Sequence, residues 1–386
     1  MSSNALFQKS QYSIRRLSAS SPATFQKSAE PKKWHLYLAI GIVGLSIGSW
    51  YRTFSYERPV KHSAFVAFEL LAKEPVSSTA SIFTIKPKDS LVFADEYAKA
   101  WKIGVWNVLF KQPQIQIVRA YTPLPAVEAT DSLVAEKDEL ETLRFLIRRD
   151  ARGGEMSTYL HRLPIGSTIE LRGPNIEYPI PDTAKNVVFV AGGTGIAPAM
   201  QIAHAMFDGL SDRQKNEKTL HILWGNRTRE DCKGGVSDNE IVPSRATEAG
   251  ISSGVWKLFG PRAETQSETK VDELEQNAIV KQLQTLKTAH NGRIKVFYFV
   301  DEEKSYITSN TLRDALVSSG WMPAVHNSET SLDQTHVVIS GPPGFITYIA
   351  GPKVWHNGDE KQGPLGGRLA QVLGKGNHDD VKVWKV

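Results

Sequence analysis

An apolar run, Val187-Val188-Phe189-Val190-Ala191, ends in Gly192-Gly193-Thr194-Gly195 and restarts as Ile196-Ala197-Pro198. No other stretch restricts the fold as much. A short apolar run closed by glycines reads as a strand buried on both faces. The residues Ile202, Met206 and Leu210 that follow have helical spacing, and Pro198 suits a first helical turn. Strand, glycine turn and helix in succession form the unit of a doubly wound parallel sheet, whose glycines let the backbone approach a dinucleotide. The turn is not G-x-G-x-x-G, because Pro198 stands where the last glycine would be. Apolar runs at 220–225, 294–300 and 336–340, with helical stretches between some of them, extend the sheet. An α/β domain is therefore expected over residues 185–386.

Upstream the rhythm differs. Residues 81–85, 104–110, 114–120, 142–148 and 167–172 are short β-rich runs without long helices between them. In the fourth run Leu143, Phe145 and Ile147 share one face, the period of a half-buried strand. Such a series predicts an antiparallel β-barrel over residues 62–180. Weakly hydrophobic acidic stretches at 126–141 and 262–277 read as surface insertions.

The net charge of +5 tells against nucleic acid once it is located. Six basic residues against Glu30 up to Lys33 account for the whole surplus, and the remainder is neutral. A nucleic-acid binder carries its basic footprint on the folded domain. Residues 1–29 lack Asp and Glu and are rich in Ser, with spaced basic residues, so 1–33 reads as a mitochondrial presequence. Residues 34–51 contain no Lys, Arg, Asp or Glu. As a helix they would span roughly 27 Å, enough for a hydrocarbon core. Trp34, Tyr37, Trp50 and Tyr51 at the two ends resemble interfacial belts. A transmembrane anchor is expected there. The single cysteine, Cys232, rules out a disulfide framework, a thiolate zinc site and an iron–sulfur cluster.

Three further motifs carry chemistry. Arg119-Ala120-Tyr121-Thr122-Pro123-Leu124 ends a barrel strand and offers a planar fork for a phosphate, an aromatic face and a short hydroxyl. Gly153-Gly154-Glu155-Met156-Ser157 opens a helix, whose free N–H groups suit a pyrophosphate, although Ser157 would equally serve as a helix cap. Ile339-Ser340-Gly341-Pro342-Pro343-Gly344 follows a buried strand.

In order and spacing these motifs resemble the ferredoxin–NADP reductase superfamily, nearest its cytochrome b5 reductase branch, over about residues 62–350. The resemblance implies an FAD-binding barrel followed by a domain for NAD(P)H. It implies that Arg119 holds an FAD phosphate, that Tyr121 lies near the flavin and ribityl chain, and that Thr122, with Pro123 after it, lies near flavin N5. Gly154, Glu155, Met156 and Ser157 correspond to the pyrophosphate turn, and Arg148 to a basic contact. Gly192, Gly193, Thr194, Gly195 and Pro198 would shape the nicotinamide cleft together with Ser340, Gly341 and Pro342. Asp301 matches an acid associated with the adenosine ribose, which favours NADH over NADPH. It also reads as a solvated turn acid beside Glu302 and Glu303. Two departures stand out: Ser340 replaces the family's cysteine, and Glu155 replaces a basic residue. The tail ending in Val381-Lys382-Val383-Trp384 either brings an aromatic side chain to the flavin or forms the last strand.

Within the branch the chain is most similar to fungal mitochondrial FAD oxidoreductases that assist haem attachment to cytochrome c. That implies electron flow from nicotinamide through FAD to haem, a haem protein or the cytochrome c haem-lyase assembly, and anchorage in the mitochondrial inner membrane with the catalytic domain in the intermembrane space. The alternatives are an NADH-cytochrome b5 reductase and a weakly active assembly scaffold of the same fold. His204 and His221 read as ordinary side chains, and no metal site is expected.

Overall fold

The computed structural model describes residues 64–88, 94–126, 142–150, 154–208, 217–238, 275–321, 335–374 and 381–386. The presequence and anchor expected at 1–33 and 34–51 lie outside them, as does most of both acidic stretches. Among the described residues no helix is long and apolar enough to cross a membrane.

The first sheet is antiparallel and seven-stranded, built from β1 (Val66–Pro75), β2 (Ala80–Pro87), β3 (Gly104–Gln112), β4 (Ile117–Tyr121), β5 (Pro123–Leu124), β6 (Leu143–Arg148) and β7 (Thr168–Pro179). Its order is β4-β3-β7-β1-β2-β6-β5. The two edge strands, β4 and β5, are separated in sequence by Thr122 alone. The sheet must therefore curl until its edges meet at that residue. Helix α1 (Ala94–Ile103) leads directly into β3, and α2 (Glu155–Arg162) lies between β6 and β7.

Alternation along the strands explains the barrel's two apolar faces. Leu143, Phe145 and Ile147 point inward with Phe68, Phe83, Trp106 and Phe110. Leu146, Ile82, Val105 and Tyr178 belong instead to a second core shared with the α/β half. The outer wall is apolar there because a helix of the other half lies against it. The strand expected over 114–120 starts later, at Ile117. Residues 113–116 turn between β3 and β4, with Gln116 at φ 55° and its side chain bonded to the Pro113 carbonyl. Proline at 113 has no N–H to donate to a ladder.

The second sheet is parallel, with strands β8 (Asn186–Gly192), β9 (Thr219–Asn226), β10 (Ile294–Val300), β11 (Thr335–Ser340) and β14 (Val381–Lys385) in the order β10-β9-β8-β11-β14. Helices α3 (Ile196–Phe207) and α4 (Ala278–Ala289) cover the face toward the barrel. Helices α5 (Ser309–Ser318), α6 (Pro343–Ala350) and α7 (Gly367–Leu373) cover the other. A small hairpin of β12 (Val354–His356) and β13 (Asp359–Lys361) stands apart. The tail forms the last strand, and Trp384 packs against Tyr178 of the barrel at 5.5 Å between ring centroids.

Candidate functional site

On the barrel, the closing point of the sheet carries the R-x-Y-T-P segment. Arg119 is exposed, and its only partner among the described residues is the neighbouring Val118 carbonyl, 2.9 Å from Nη1. The rest of its fork has no hydrogen-bond partner among the described residues. The Tyr121 ring meets Phe110 edge-on at 4.9 Å. Burial pushes the Tyr121 hydroxyl up to about 12 against the opposing charge of Arg119, so it stays protonated as a donor. Thr122 is half-buried and Pro123 is buried.

Helix α2 begins close by, with a local geometry unlike that of a serine cap. Gly154 occupies the cap position and Ser157 is the third helical residue. The Ser157 hydroxyl donates to the Gly154 carbonyl at 3.0 Å and accepts from the Asp150 N–H at 3.1 Å. Its proton is thus already in use, and the donors left for a phosphate are the first-turn N–H groups, which have no acceptor within a helix. A Cβ on Gly154 would lie 2.5 Å from Asp150 Cβ and 2.7 Å from Ser157 Oγ, which explains the glycine. Met156 is buried in the barrel core and Glu155 is exposed. Gly153 lies outside the described residues. A helix start without a side-chain cap and the exposed Arg119 fork suit the phosphates of FAD.

Arg148 reaches across to the other half. Nη2 pairs with Asp231 of the α/β half at 2.7 Å, and Asp231 is only 3% exposed. The same carboxylate accepts from Ser77 at 2.8 Å and from Thr228 at 3.2 Å. Arg148 also faces the glycine turn: a Cβ built on Gly193 would lie 3.8 Å from Nη2.

On the α/β half the chain reverses its direction of sheet growth between β8 and β11, where such folds bind their ligand outside the strand ends. Gly192 closes β8, and Gly193–Gly195 form one 3-10 turn with Gly193 at φ 55°. The Trp224 indole donates to the Gly193 carbonyl at 2.8 Å. Thr194 is half-buried, while Pro198 is the third residue of α3 and buried. The second turn meets the first there, since a Cβ on Gly195 would lie 2.4 Å from the Ser340 carbonyl oxygen. Ser340 is buried at the end of β11, Gly341 follows, and Pro342 caps α6. The Phe345 ring fills the crevice, 2.8 Å from a Cβ placed on Gly192 and 2.9 Å from one on Gly341. Those two glycines therefore make room for the Phe345 side chain.

Asp301 follows β10 at the same sheet edge and is exposed. Desolvation raises its pKa and Arg227 opposes that shift. The Glu302 N–H bonds to the Arg227 carbonyl at 3.2 Å, tying together the turns after β9 and β10.

The motif reading overlooked several side chains. Asn226, at the end of β9, is buried, and neither Oδ1 nor Nδ2 has a partner among the described residues. Such a group is commonly satisfied by water or a ligand, which fits a dinucleotide at this edge. Gln201 and Gln282 reach from α3 and α4 to the carbonyls of Pro123 and Pro125, at 3.1 and 3.0 Å. Gln201 had a signal, being the one polar side chain in an apolar helical run from Ile196 to Ala203. Asp231 had none. His204 stacks on Trp101, and His221 bonds to the Ala315 carbonyl.

Comparison with known proteins agrees with both halves. The oxidoreductase FAD-binding domain model matches residues 68–179, and the oxidoreductase NAD-binding domain model matches residues 189–233. The chain is 24% identical over 380 residues to NADH-cytochrome b5 reductase 2 of Aspergillus clavatus, covering 93% of this chain and 92% of that protein. It is 24% identical over 383 residues to the cytochrome c mitochondrial import factor CYC2 of Saccharomyces cerevisiae, covering 92% and 94%. Among solved structures it is similar to the cytochrome b5 reductase domain of Ulva prolifera nitrate reductase, at 18% identity and a TM-score of 0.47, over 83% of this chain and 97% of that one.

Proposed function

We propose that the chain, an FAD- and NAD-binding oxidoreductase of the ferredoxin–NADP reductase superfamily, carries electrons from NADH to haem iron during haem attachment to cytochrome c in mitochondria. The chemistry that bound FAD supplies is acceptance of a hydride and release of electrons singly. The protein binds, aligns and shields. Arg119 and the first turn of α2 would hold the FAD phosphates, Tyr121 would flank the flavin, and Thr122 would face its reacting edge. The turn Gly192–Gly195, with Ser340 and Gly341 opposite, would take the nicotinamide end of the dinucleotide, and Asp301 would take the ribose. A free 2′-hydroxyl suits that acid better than a phosphate does, which supports NADH.

The observation that carries the reading is the position of Arg148. It ends a barrel strand and lies within one side chain of the Gly193 turn. Because that strand also pairs with Pro123–Leu124, this closeness supports a reading in which the flavin-side and nicotinamide-side segments face each other, as hydride transfer requires.

The haem acceptor rests on relatives. The yeast relative is a cytochrome c mitochondrial import factor, and the acid-free leader and apolar span of this chain suit an inner-membrane anchor. The name of the Aspergillus relative supports a second reading, in which cytochrome b5 is the acceptor. Turnover of the full-length protein with ferric haem on apocytochrome c, compared with purified cytochrome b5, tests the choice. Faster reduction of cytochrome b5 would overturn the first reading.

A further inference from the structure

The segment that leaves the flavin side is Thr122-Pro123-Leu124-Pro125. Its prolines have no N–H, so at 123 and 125 only the carbonyls can be held. Both carbonyls are met by side-chain amides from the α/β half. Gln201 Nε2 donates to Pro123 at 3.1 Å and Gln282 Nε2 donates to Pro125 at 3.0 Å. Gln201 has a second attachment, since its Oε1 accepts from the Trp106 N–H of β3 at 3.0 Å. One amide thus spans two barrel strands, and with both ends used its orientation is fixed. Gln201 is 0% exposed, so water cannot replace either bond.

The helix that carries this amide starts at the glycine turn. Gly195 is pressed against Ser340, and Gln201 follows six residues later, about 9 Å along the helix axis. Helix α3 is therefore a short strut with the nicotinamide-side turn at one end and the exit of the flavin segment bonded near the other. Adhesion between the halves does not require an amide. Val105, Leu124, Ala197 and Met200 already share one apolar core across the boundary. Apolar packing tolerates sliding, whereas two directional hydrogen bonds fix register.

Building on the two-cofactor reading, we propose that Gln201 is a positioning residue for hydride transfer, setting the separation between the Gly192–Gly195 turn and the Tyr121–Thr122 segment, with Gln282 holding the next carbonyl.

The test uses the full-length protein and Gln201→Met, which keeps the volume and removes both bonds. Amide hydrogen exchange at Trp106, with and without FAD, reports the tie independently of activity. Exchange is expected to quicken about tenfold or more, with FAD content and half-saturating NADH within about twofold of wild type. Flavin reduction at saturating NADH is expected to slow by about tenfold or more, because reacting groups are sensitive to small displacements. Gln201→Glu supplies the second arm and decides if the Met variant does not fold. Its carboxylate keeps the acceptor and loses the donor, and protonation restores the donor. Its reduction rate should therefore rise toward wild type as the pH falls, while wild type shows no such rise. A wild type bleached by NADH and variants bleached at the same rate overturn the role of Gln201 alone. A wild type that NADH leaves coloured overturns the function and this role together.

Discussion

Substituting Gly195 by alanine isolates one contact between the two glycine turns. Gly195 has φ −61° and ψ −4°, a conformation any residue adopts, so alanine adds no backbone strain. The effect is purely spatial. The new Cβ would lie 2.4 Å from the Ser340 carbonyl oxygen and 2.7 Å from its carbon, whereas ordinary contact starts at 3.4 Å. Relief requires a shift of about 1 Å, the difference between 2.4 and 3.4 Å. The opposing atoms are backbone, and Ser340 is paired with Ala191 inside the parallel sheet, so no flexible side chain can give way. Overpacking of this kind costs about 1–3 kcal/mol, with the upper end expected against backbone. The melting temperature should fall by about 1–2 °C for each kcal/mol in a chain of this length. A displacement of that size at the nicotinamide side should slow flavin reduction by about a hundredfold. Stopped-flow absorbance and thermal unfolding measure the two effects. Gly344→Ala is the control: its Cβ would meet nothing within 4 Å, and it sits early in α6. That change should leave reduction intact and add about 0.4–1 kcal/mol of stability. A Gly195→Ala protein that melts and reacts as wild type would refute the close approach of the turns.

Arg119→Ala should weaken FAD retention by about 1.5–3 kcal/mol, the worth of a charge-assisted phosphate contact; equal flavin content after gel filtration would remove Arg119 from the site. A double-mutant cycle of Arg148→Met and Asp231→Asn should give a coupling of about 1–3 kcal/mol in urea unfolding, since Asp231 is buried and Arg148 is its charged partner; a coupling near zero would mean the pair holds nothing together. His161 has its pKa lowered chiefly by burial, with Arg149 and Lys73 also lowering it and its bond to the Ile147 carbonyl opposing them. The unfolded chain then binds more protons below about pH 6.5, so stability should fall as the pH drops from there toward the lowered folded value. His161→Gln should flatten that part of the pH–stability curve, and an unchanged slope would assign it to other groups.

Much of the architecture was legible because periodicity reports burial directly. The run from Val187 to Ala191 is apolar throughout since both faces of β8 are covered, and Leu143, Phe145 and Ile147 alternate since only the barrel interior must be apolar. Leu146 shows the limit of that pattern. It faces outward, yet it is buried beneath the other half, and no local period announces a neighbouring domain. Strand β1 was missed because Glu69, Lys73 and Glu74 break its apolar pattern, and the β12–β13 hairpin carries no apolar period at all. At the site, the glycine turns could be read because close backbone approach demands glycine. For Ser157 the sequence left a helix cap and a pyrophosphate contact open, because a serine after glycines fits both the cap and the third helical position; the structure puts Gly154 at the cap. Asp231 was invisible: its partners Arg148 and Ser77 are distant in sequence, and only the fold brings them together. The prolines at 123 and 125 stood in plain view, but the need for their carbonyls to find donors appears only when the second half is packed over them.

The most direct test is anaerobic addition of NADH to the full-length, FAD-loaded protein while the flavin absorbance is recorded. If the Gly193 turn and the Thr122 segment hold their cofactors face to face, stoichiometric NADH should bleach the flavin band in a single turnover, before any acceptor is added. A flavin that remains oxidised under excess NADH, in a protein that demonstrably binds both cofactors, would contradict hydride transfer across this cleft.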